Sequence, residues 1–191
     1  MINLYSIAYL PPASYFYKAA KEETFILDKH EHFVKQTYRN RCSISGPNGK
    51  QDLIIPVEHT NIHTIPISQV KIANSERWQS IHWRSILAAY RNSPYFEYYE
   101  DDFKSFYEKK YELLFEFNFE LLQLLFKLKK QKPTIIFTDQ FEKVASDKTD
   151  LRNYFIPKNK IESVSNYHQV FQERNGFIEG LSIVDHLFNV R

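Results

Sequence analysis

The segment "INLYSIAYLPPASYFYKAAKEETFILD" (residues 2–28) decides the fold. Its apolar beginning is short and stops at two prolines, which is typical of a buried strand. The run "SYFYKAAK" predicts a short helix with Ser14 as its cap. The β-branched and aromatic "TFILD" then predicts a second strand. This order of strand, turn, helix and strand indicates helices packed on a central sheet.

Extended segments follow this unit. Residues 39–58, "RNRCSISGPNGKQDLIIPVE", predict a β-hairpin, because Asn48 and Gly49 suit the positive φ angles of a tight turn. "TIPISQVKI" (64–72) predicts a further extended segment, although its proline weakens the pattern. "TIIF" (134–137) predicts another strand.

Two helices are predicted between residues 75 and 130. The first starts at a cap, Asn74 or Ser75, and ends at Pro94. The second runs from about Asp101 through Lys130, because its apolar residues keep the spacing of a helix that packs on a core. In the first helix Trp78, Ile81, Ser85 and Ala88 lie on one face, with His82, Ile86 and Ala89 beside it.

The remaining segments complete the expected architecture. Residues 146–163 are polar and predict a long connection, whereas "GLSIVDHLFNV" (180–190) predicts a short amphipathic helix. We therefore expect an α/β (or α+β) fold. A single central mixed sheet from the N-terminal half would be flanked by helices from 75–130 and by the C-terminal helix. Residues 1–191 are expected to form a single domain.

Composition excludes several classes of protein. The 25 basic and 23 acidic residues give a net charge of +2, which does not favour nucleic-acid binding. Only four glycines are present, and no Walker or dinucleotide-binding motif occurs. The single cysteine excludes an internal disulfide. Because we find neither a secretory signal nor an apolar run long enough for a membrane span, we expect a cytoplasmic protein without membrane contact.

A cationic segment is the strongest candidate for ligand binding. Lys35, Arg39 and Arg41 alternate by even steps, so an extended strand would place all three cations on one side. Together with Asn40 they could hold a phosphate or a carboxylate. The alternative is a charged edge strand that resists aggregation.

A metal site is a weaker hypothesis. Asp28, His30 and His32 also alternate, and two histidines with a carboxylate could bind a divalent ion, with His59 or His63 as a further ligand. The alternative is a solvated strand face. We favour that alternative and assign no metal ligand and no cofactor.

Three further features have competing interpretations. Tyr9 and Tyr15 lie where a strand ends and a helix begins, so they could face a ligand crevice or pack under the proline turn. Cys42 could be a nucleophile with His30 or His32 as its base, but a small core residue is the more common case. The segment "RNSPYFEYYEDDF" (91–103) could stack a sugar, although an aromatic plug between helices is favoured.

Several motifs, taken in order, resemble the WbqC-like protein family. They include the proline-aromatic turn, "KQTYRNRC", the pattern G-x-x-x-L-x-I-P-V, "AYRNSPYF" and L-S-I-x-D-x-L-F-N. The resemblance is carried by segments spread over the chain: Tyr9–Phe16, Lys35–Ile44, Leu53–Val57, Trp78–His82, Tyr90–Phe96, Asn118 and Leu181–Asn189.

The resemblance implies a bacterial protein of surface-polysaccharide metabolism that transfers glycine or another acyl group to an amino sugar. Carried over by position, the turn and the "RNR" segment would supply the ligand-binding residues Tyr9, Pro11, Tyr15, Lys35, Arg39, Asn40 and Arg41.

The chain departs from the family pattern in two places. Ser6 and Ile7 stand where the family usually has Gln-Pro, and residues 30–32 read His-Glu-His where many members have Asp-Val-Gln. We also expect the chain to lack the longer C-terminal region found in many relatives, and in these respects it is similar to the shorter form of the family in the Bacteroidetes.

The leading hypothesis from sequence is an acyl or aminoacyl transferase with an anionic small-molecule substrate. Glu31 or His32 would deprotonate the attacking amine, and the arginines would hold the anionic group. The alternatives are a ligand-binding protein without catalysis, and an interaction protein that uses the aromatic segment 95–107. The order of N-terminal elements is also that of nucleotidyltransferases, but the paired histidines of their first turn are missing from "YLPPASY".

Overall fold

A computed structural model of the chain describes residues 2–58, 64–143, 148–159 and 164–190. Six strands and six α-helices lie in these residues, together with a 3-10 helix at Ile67–Gln69. In chain order they are β1 (Asn3–Ser6), α1 (Ala13–Ala20), β2 (Thr24–Asp28), β3 (Arg41–Gly46), β4 (Gly49–Ile54), α2 (Trp78–Tyr90), α3 (Phe96–Glu108), α4 (Leu114–Leu128), β5 (Thr134–Phe137), β6 (Thr149–Asp150), α5 (Gln172–Asn175) and α6 (Ile183–Asn189).

A four-stranded parallel sheet forms the centre, in the order β5-β2-β1-β6. The predicted α/β class is confirmed. The sheet is parallel rather than mixed, and the predicted hairpin β3–β4 forms a separate two-stranded sheet. The sheet also takes β6 from the polar stretch 146–163, which the sequence predicts as a connection. A two-residue edge strand made of Thr149 and Asp150 carries no hydrophobic pattern by which it could be found.

Aromatic side chains join the helices to one face of this sheet. The ring of Phe126 in α4 lies 5.0 Å from Phe16 in α1 and 6.0 Å from Phe25 in β2. Phe119 of α4 lies 5.1 Å from Phe137 in β5. Because aromatic rings bury the largest apolar area per residue, these contacts fix the helices on the sheet.

The predicted helix 101–130 is divided into α3 and α4. Residues 109–113 are not helical, and the chain there pairs with residues 70–72 instead. The amide of Ile72 donates to the Glu112 carbonyl (2.9 Å), and the amide of Leu114 donates to the Val70 carbonyl (2.9 Å). The apolar spacing continues across this break, and for that reason the sequence pattern alone did not show it.

Helix α2 packs on the core through Trp78 and through the three residues predicted to lie beside its face. Trp78, His82, Ile86 and Ala89 are buried, whereas Ile81 is 59% exposed. The helix begins at Trp78, after the predicted caps, and no side chain caps it. Helix α1 likewise begins at Ala13, so Ser14 is not its cap. Packing against the core therefore sets these helix positions, more than capping does.

The aromatic segment 91–103 lies mainly in the core. The rings of Phe96 and Phe103 pack on Phe188 of α6, with centroid distances of 5.1 and 5.4 Å. Tyr98 is the exception, because 78% of its surface is exposed. The interpretation of this segment as an aromatic plug is confirmed for Phe96 and Phe103.

Residues 181–189 form hydrogen bonds with the turn between β1 and α1, and we call this contact the C-terminal clasp. Helix α6 is confirmed, with Ser182 as its cap. The Ser182 hydroxyl donates to the Leu10 carbonyl (2.8 Å), and the Ile183 amide donates to the Pro11 carbonyl (2.8 Å). The Leu10 φ angle of +38° is in the left-handed region, which is uncommon for a branched side chain. The clasp therefore holds a backbone conformation that is unfavourable by itself.

Two further segments complete the description. The predicted extended segment 64–72 contains the 3-10 helix instead, while Val57 and Ile72 form an isolated bridge. Within the residues that the structure describes, no helix has the length and apolar character needed to cross a membrane.

Candidate functional site

The carboxyl ends of the parallel strands place polar residues at one edge of the sheet. Ser6 ends β1, Asp28 ends β2, and Arg152 follows β6. Ligand crevices in open α/β sheets lie at this edge. We call the polar residues that meet there the sheet-edge cluster: Ser6, Asp28, Glu31, Arg39, Thr138, Asp150 and Arg152.

Glu31 and Arg39 form a buried, two-pronged ion pair. Nε of Arg39 donates to Oε1 of Glu31 (3.0 Å), and Nη2 donates to Oε2. Nη2 also donates to the Ser6 hydroxyl (2.7 Å), which itself lies 2.9 Å from Oε2 of Glu31. Burial raises the pKa of the Glu31 carboxyl, and the adjacent guanidinium only partly opposes this effect. Both oxygens of Glu31 are thus occupied by protein donors.

A second ion pair joins Asp28 to Arg152. The Arg152 Nη1 donates to Oδ2 of Asp28 (2.7 Å), while Nε and Nη2 bind the two oxygens of Asp150 (3.0 and 2.6 Å). Oδ1 of Asp28 accepts from the amides of His30 and Glu31 and from the Thr138 hydroxyl, each at 2.9 Å. The hydrogen bonds from Arg152 lower the pKa of Asp150. Asp28 is therefore saturated with protein partners.

The proposed alternation of Asp28, His30 and His32 along a strand is wrong, because β2 ends at Asp28. Asp28 is fully buried, whereas His32 is exposed and stacks on Phe141 with a centroid distance of 5.1 Å. His59 and His63 lie outside the described residues. Within the described part of the chain, no three His, Cys, Asp or Glu residues are arranged to hold a metal ion.

The two candidate bases point in opposite directions. Glu31 is 4% exposed and faces the sheet-edge cluster, whereas the neighbouring His32 is on the surface. Cys42 is 1% exposed, and burial raises the pKa of its thiol well above the usual range. The interpretation of Cys42 as a core residue is confirmed, because the reactive thiolate form is disfavoured there.

A small cavity adjoins the sheet-edge cluster. Its volume is about 10 Å³, which is room for a single water molecule. Ser6, Tyr15, Arg39, Arg152 and Phe155 contribute to its lining. This cavity is too small for a sugar or a nucleotide.

Tyr15 supports this cavity from α1. Its hydroxyl donates to the Ser6 carbonyl (2.8 Å), and the side chain is 2% exposed. The variant Tyr15→Phe should lose about 1 kcal/mol of unfolding free energy, because it removes one buried hydrogen bond and leaves the ring in place. Urea denaturation measures the loss. A change below a few tenths of a kcal/mol would show that this bond does not stabilise the strand end.

Tyr9 and Pro11 are both buried in this structure. The Tyr9 hydroxyl is buried between Nδ1 of His82 (3.0 Å) and the Tyr107 hydroxyl (2.8 Å). Nε2 of His82 lies 3.2 Å from the Ile54 carbonyl, so Nε2 carries the proton and Nδ1 accepts from Tyr9. Pro11 is buried, and its carbonyl belongs to the C-terminal clasp. The sequence did not reveal this, because the partners of Tyr9 lie 73 and 98 residues away.

The predicted row of cations is divided between two places. The chain reaches Arg41 through turns, so Lys35 and Arg39 do not lie on a strand, and the expectation of one shared face is wrong. Arg39 turns inward to Glu31. Lys35, Asn40 and Arg41 instead line an open groove of about 220 Å³, which we call the Arg41 groove. Its other lining residues are Phe33, Gln36, Ile54, Ile55, Pro56, Val57 and Glu76.

Arg41 is the least satisfied polar side chain of this groove. Its Nε atom is buried and has no hydrogen-bond partner among the described residues. Its Nη1 atom reaches Asp52 at 3.4 Å, at the long limit of a hydrogen bond. The Asn40 side chain donates to the Ile55 carbonyl (2.9 Å), which shapes the groove wall. The groove therefore offers a guanidinium with a long ion pair next to a lysine and an apolar wall.

The sequence pattern does not mark Ser6, Asp150 or Arg152 as site residues. Asp28 ends the predicted second strand, and this position was the signal available for it, whereas Ser6 lies inside the predicted strand 2–10 and had no such signal. Arg152 had no such signal, because β6 was not predicted.

A family model described as the WbqC-like protein family matches residues 8–159. The match includes the Arg41 groove and the sheet-edge cluster apart from Ser6. Comparison with curated proteins and with solved structures gives no match.

Proposed function

The chain belongs to the WbqC-like protein family, and from this premise we propose that it transfers an acyl or aminoacyl group to the amine of an amino sugar or a similar small acceptor. The reaction would belong to surface-polysaccharide metabolism, as the family resemblance implies. The anionic part of the donor, a phosphate or a carboxylate, binds in the Arg41 groove.

The Arg41 guanidinium is the observation that carries this proposal, because Arg41 lines the groove, its side chain is 23% exposed and its ion pair with Asp52 is long at 3.4 Å. A hydrogen bond to a charged group contributes about 1.5 to 3 kcal/mol, so an anion that accepts from this guanidinium gains such a stabilisation on binding. Lys35 adds a second positive charge at the same groove. A guanidinium binds phosphate and carboxylate in a two-pronged geometry, which suits a charged donor.

The chemistry requires a bond exchange and a proton acceptor. The amine nitrogen attacks the acyl carbon and forms a C–N bond, while the bond from that carbon to the leaving group breaks with its electron pair. The amine proton passes to a base. We assign this role to His32, because it is exposed and directly precedes Phe33, which lines the groove. Glu31 serves as a positioning residue, because its carboxylate holds Arg39.

A binding protein without catalysis is the second candidate. The volume of about 220 Å³ suits a compact anion better than a donor and an acceptor together, since small-molecule sites usually measure about 300–1,000 Å³. Saturable binding without any product would favour this candidate.

The variant Arg41→Ala should abolish stabilisation by the anionic ligand. Wild-type protein is titrated with nucleotide sugars, acyl donors and inorganic phosphate, and its melting temperature is measured. A compound present at 100 times its Kd should add about 2.7 kcal/mol of unfolding free energy. In Arg41→Ala this gain should fall by at least about 1 kcal/mol, because the guanidinium donors are lost.

Arg91→Ala is the matched control, because Arg91 is an exposed arginine at the end of α2. It should keep the full ligand effect. A compound that stabilises the wild type and Arg41→Ala equally would place the anion site elsewhere. His32→Gln then separates the two candidate functions, because a transferase should lose turnover while still binding the donor.

A further inference from the structure

A large cavity lies at positions in the sequence far from the Arg41 groove. It is an open groove of about 660 Å³ between the end of α4 and the edge strand β5. We call it the α4–β5 groove. Its lining residues are Phe119, Gln123, Phe126, Lys127, Lys130, Gln131, Lys132, Pro133 and Ile135.

The α4–β5 groove combines an aromatic floor with a positive rim. Phe119 and Phe126 are its aromatic residues, and Lys127, Lys130 and Lys132 are exposed. No acidic residue lines the groove. None of the three lysines forms an ion pair with any residue that the structure describes. Three positive charges therefore lie around this groove, although the net charge of the whole chain is only +2.

The backbone fixes one of these lysines in an unfavourable conformation. Lys130 has a φ angle of +54°. Its amide donates to the Lys127 carbonyl (3.0 Å), and the Gln131 amide donates to the Phe126 carbonyl (2.8 Å). This is the Schellman pattern at the end of a helix, in which glycine is the usual residue at the left-handed position. The dipole of α4 favours cations near its last turn, but it does not account for Lys132 or for the aromatic floor.

A surface of opposite character occurs on α3, and we call it the α3 acidic face: Glu97, Tyr98, Asp101 and Asp102. Asp101 and Asp102 follow Tyr98 by three and four residues, so they lie on its side of the helix. At 78% exposure, Tyr98 is the most exposed large hydrophobic side chain among the described residues. None of the three carboxylates is paired with a cation in the described ranges.

We propose that the α4–β5 groove of one copy binds the α3 acidic face of a second copy of this chain. Tyr98 enters between Phe119 and Phe126, while the carboxylates meet the lysines of the rim. Tyrosine is enriched among the residues that dominate interface energies, and opposite charges select the partner. Because two different surfaces meet, a pair of copies leaves one groove and one acidic face free, so the assembly grows into rings or chains.

Sedimentation velocity of the full chain tests this proposal at low salt. We expect the mean mass to rise above the 22.9 kDa of the monomer as concentration increases. The double variant Lys127→Glu/Lys130→Glu should weaken association by at least about tenfold, and Glu97→Lys/Asp101→Lys should do the same. Tyr98→Ala should also weaken it without loss of folding, because this side chain is exposed.

Mixing the two charge-reversed proteins gives the decisive result. Each alone has two surfaces of like charge, whereas the mixture contains complementary pairs, so association should return. Lys18→Glu/Lys50→Glu is the matched control, since it changes the net charge equally at exposed lysines outside the groove. A wild type that stays monomeric at low salt would overturn the proposal. Association that survives the reversal on α3 would also overturn it, because another occupant would then fill the groove.

Discussion

Replacing Arg39 by alanine should lower the free energy of unfolding by about 3 to 5 kcal/mol, because the Glu31 carboxylate would remain buried without its partner. The side chains of Arg39 and Glu31 are only 3% and 5% exposed, so water cannot replace the guanidinium. The Ser6 hydroxyl would lose its donor from Arg39 as well. Urea denaturation followed by tryptophan fluorescence measures the loss.

The double variant Arg39→Met/Glu31→Leu separates the charge effect from general damage to the core. Removing both charges should cost less than removing Arg39 alone, because no unpaired carboxylate remains. Arg41→Ala is the control two residues along the chain, and its stability should change by less than about 1 kcal/mol, since its side chain is partly exposed. If Arg39→Ala were as stable as Arg41→Ala, the buried ion pair would not stabilise the fold.

This expectation changes how activity measurements on the two arginines are interpreted. Loss of activity in Arg39→Ala would follow from unfolding alone. Arg41 is therefore the residue at which binding of an anion can be tested.

Acidification from pH 6.5 to pH 4 should remove about 3 kcal/mol of stability through His82 alone. Burial lowers the pKa of His82 to about 4, below the value of about 6.5 that an unfolded histidine has. The unfolded chain therefore binds a proton in this window that the folded chain does not bind. The contribution of His82 is complete above pH 6.5 and is lost as the pH falls to 4.

The variant His82→Gln isolates this contribution. Glutamine can still accept from Tyr9 and donate towards Ile54, but it does not titrate in this window. Unfolding free energies at pH 7, 5.5 and 4 should fall less steeply in this variant than in the wild type. His168→Gln is the control, because His168 is exposed. Equal slopes in His82→Gln and the wild type would contradict the buried neutral histidine.

Comparing variants is necessary because other groups titrate in the same range. Burial raises the pKa of Glu31 and of Asp185, so their contributions are present at low pH and are lost as the pH rises. These two carboxyls oppose the effect of His82. The difference between the slopes of wild type and His82→Gln removes this background.

The sequence predicted the elements whose pattern is local. The unit of strand, helix and strand at residues 2–28, the hairpin and α6 are all confirmed, because each has its own turn residues or apolar period. The break between α3 and α4 was missed, because its cause is a pairing with residues 70–72. The spacing of apolar residues shows which side chains share a helix face. It does not show which distant backbone segment will form hydrogen bonds that interrupt the helix.

The candidate site likewise combines features that the sequence predicts with features that depend on tertiary contacts. Lys35, Asn40 and Arg41 meet in one groove as expected of a cationic ligand site, although no shared strand brings them together. Arg39 has the same residue type and nearly the same position, yet it is buried against Glu31. Because a guanidinium serves equally well in a buried ion pair and in an anion site, only its tertiary surroundings distinguish the two.

The C-terminal clasp has a consequence for how the chain folds as it is made. Ser182 and Leu10, which it joins, are separated by 172 residues. Contacts of such long range slow folding, because the entropy of closing the intervening loop is lost before the contact forms. On the ribosome, the first strand and helix emerge long before residues 181–189, which pack against this helix and the turn before it. Until then the apolar surface of the strand and helix is exposed and can aggregate or bind chaperones. The nascent chain therefore completes its core only after residues 181–189 have left the ribosome.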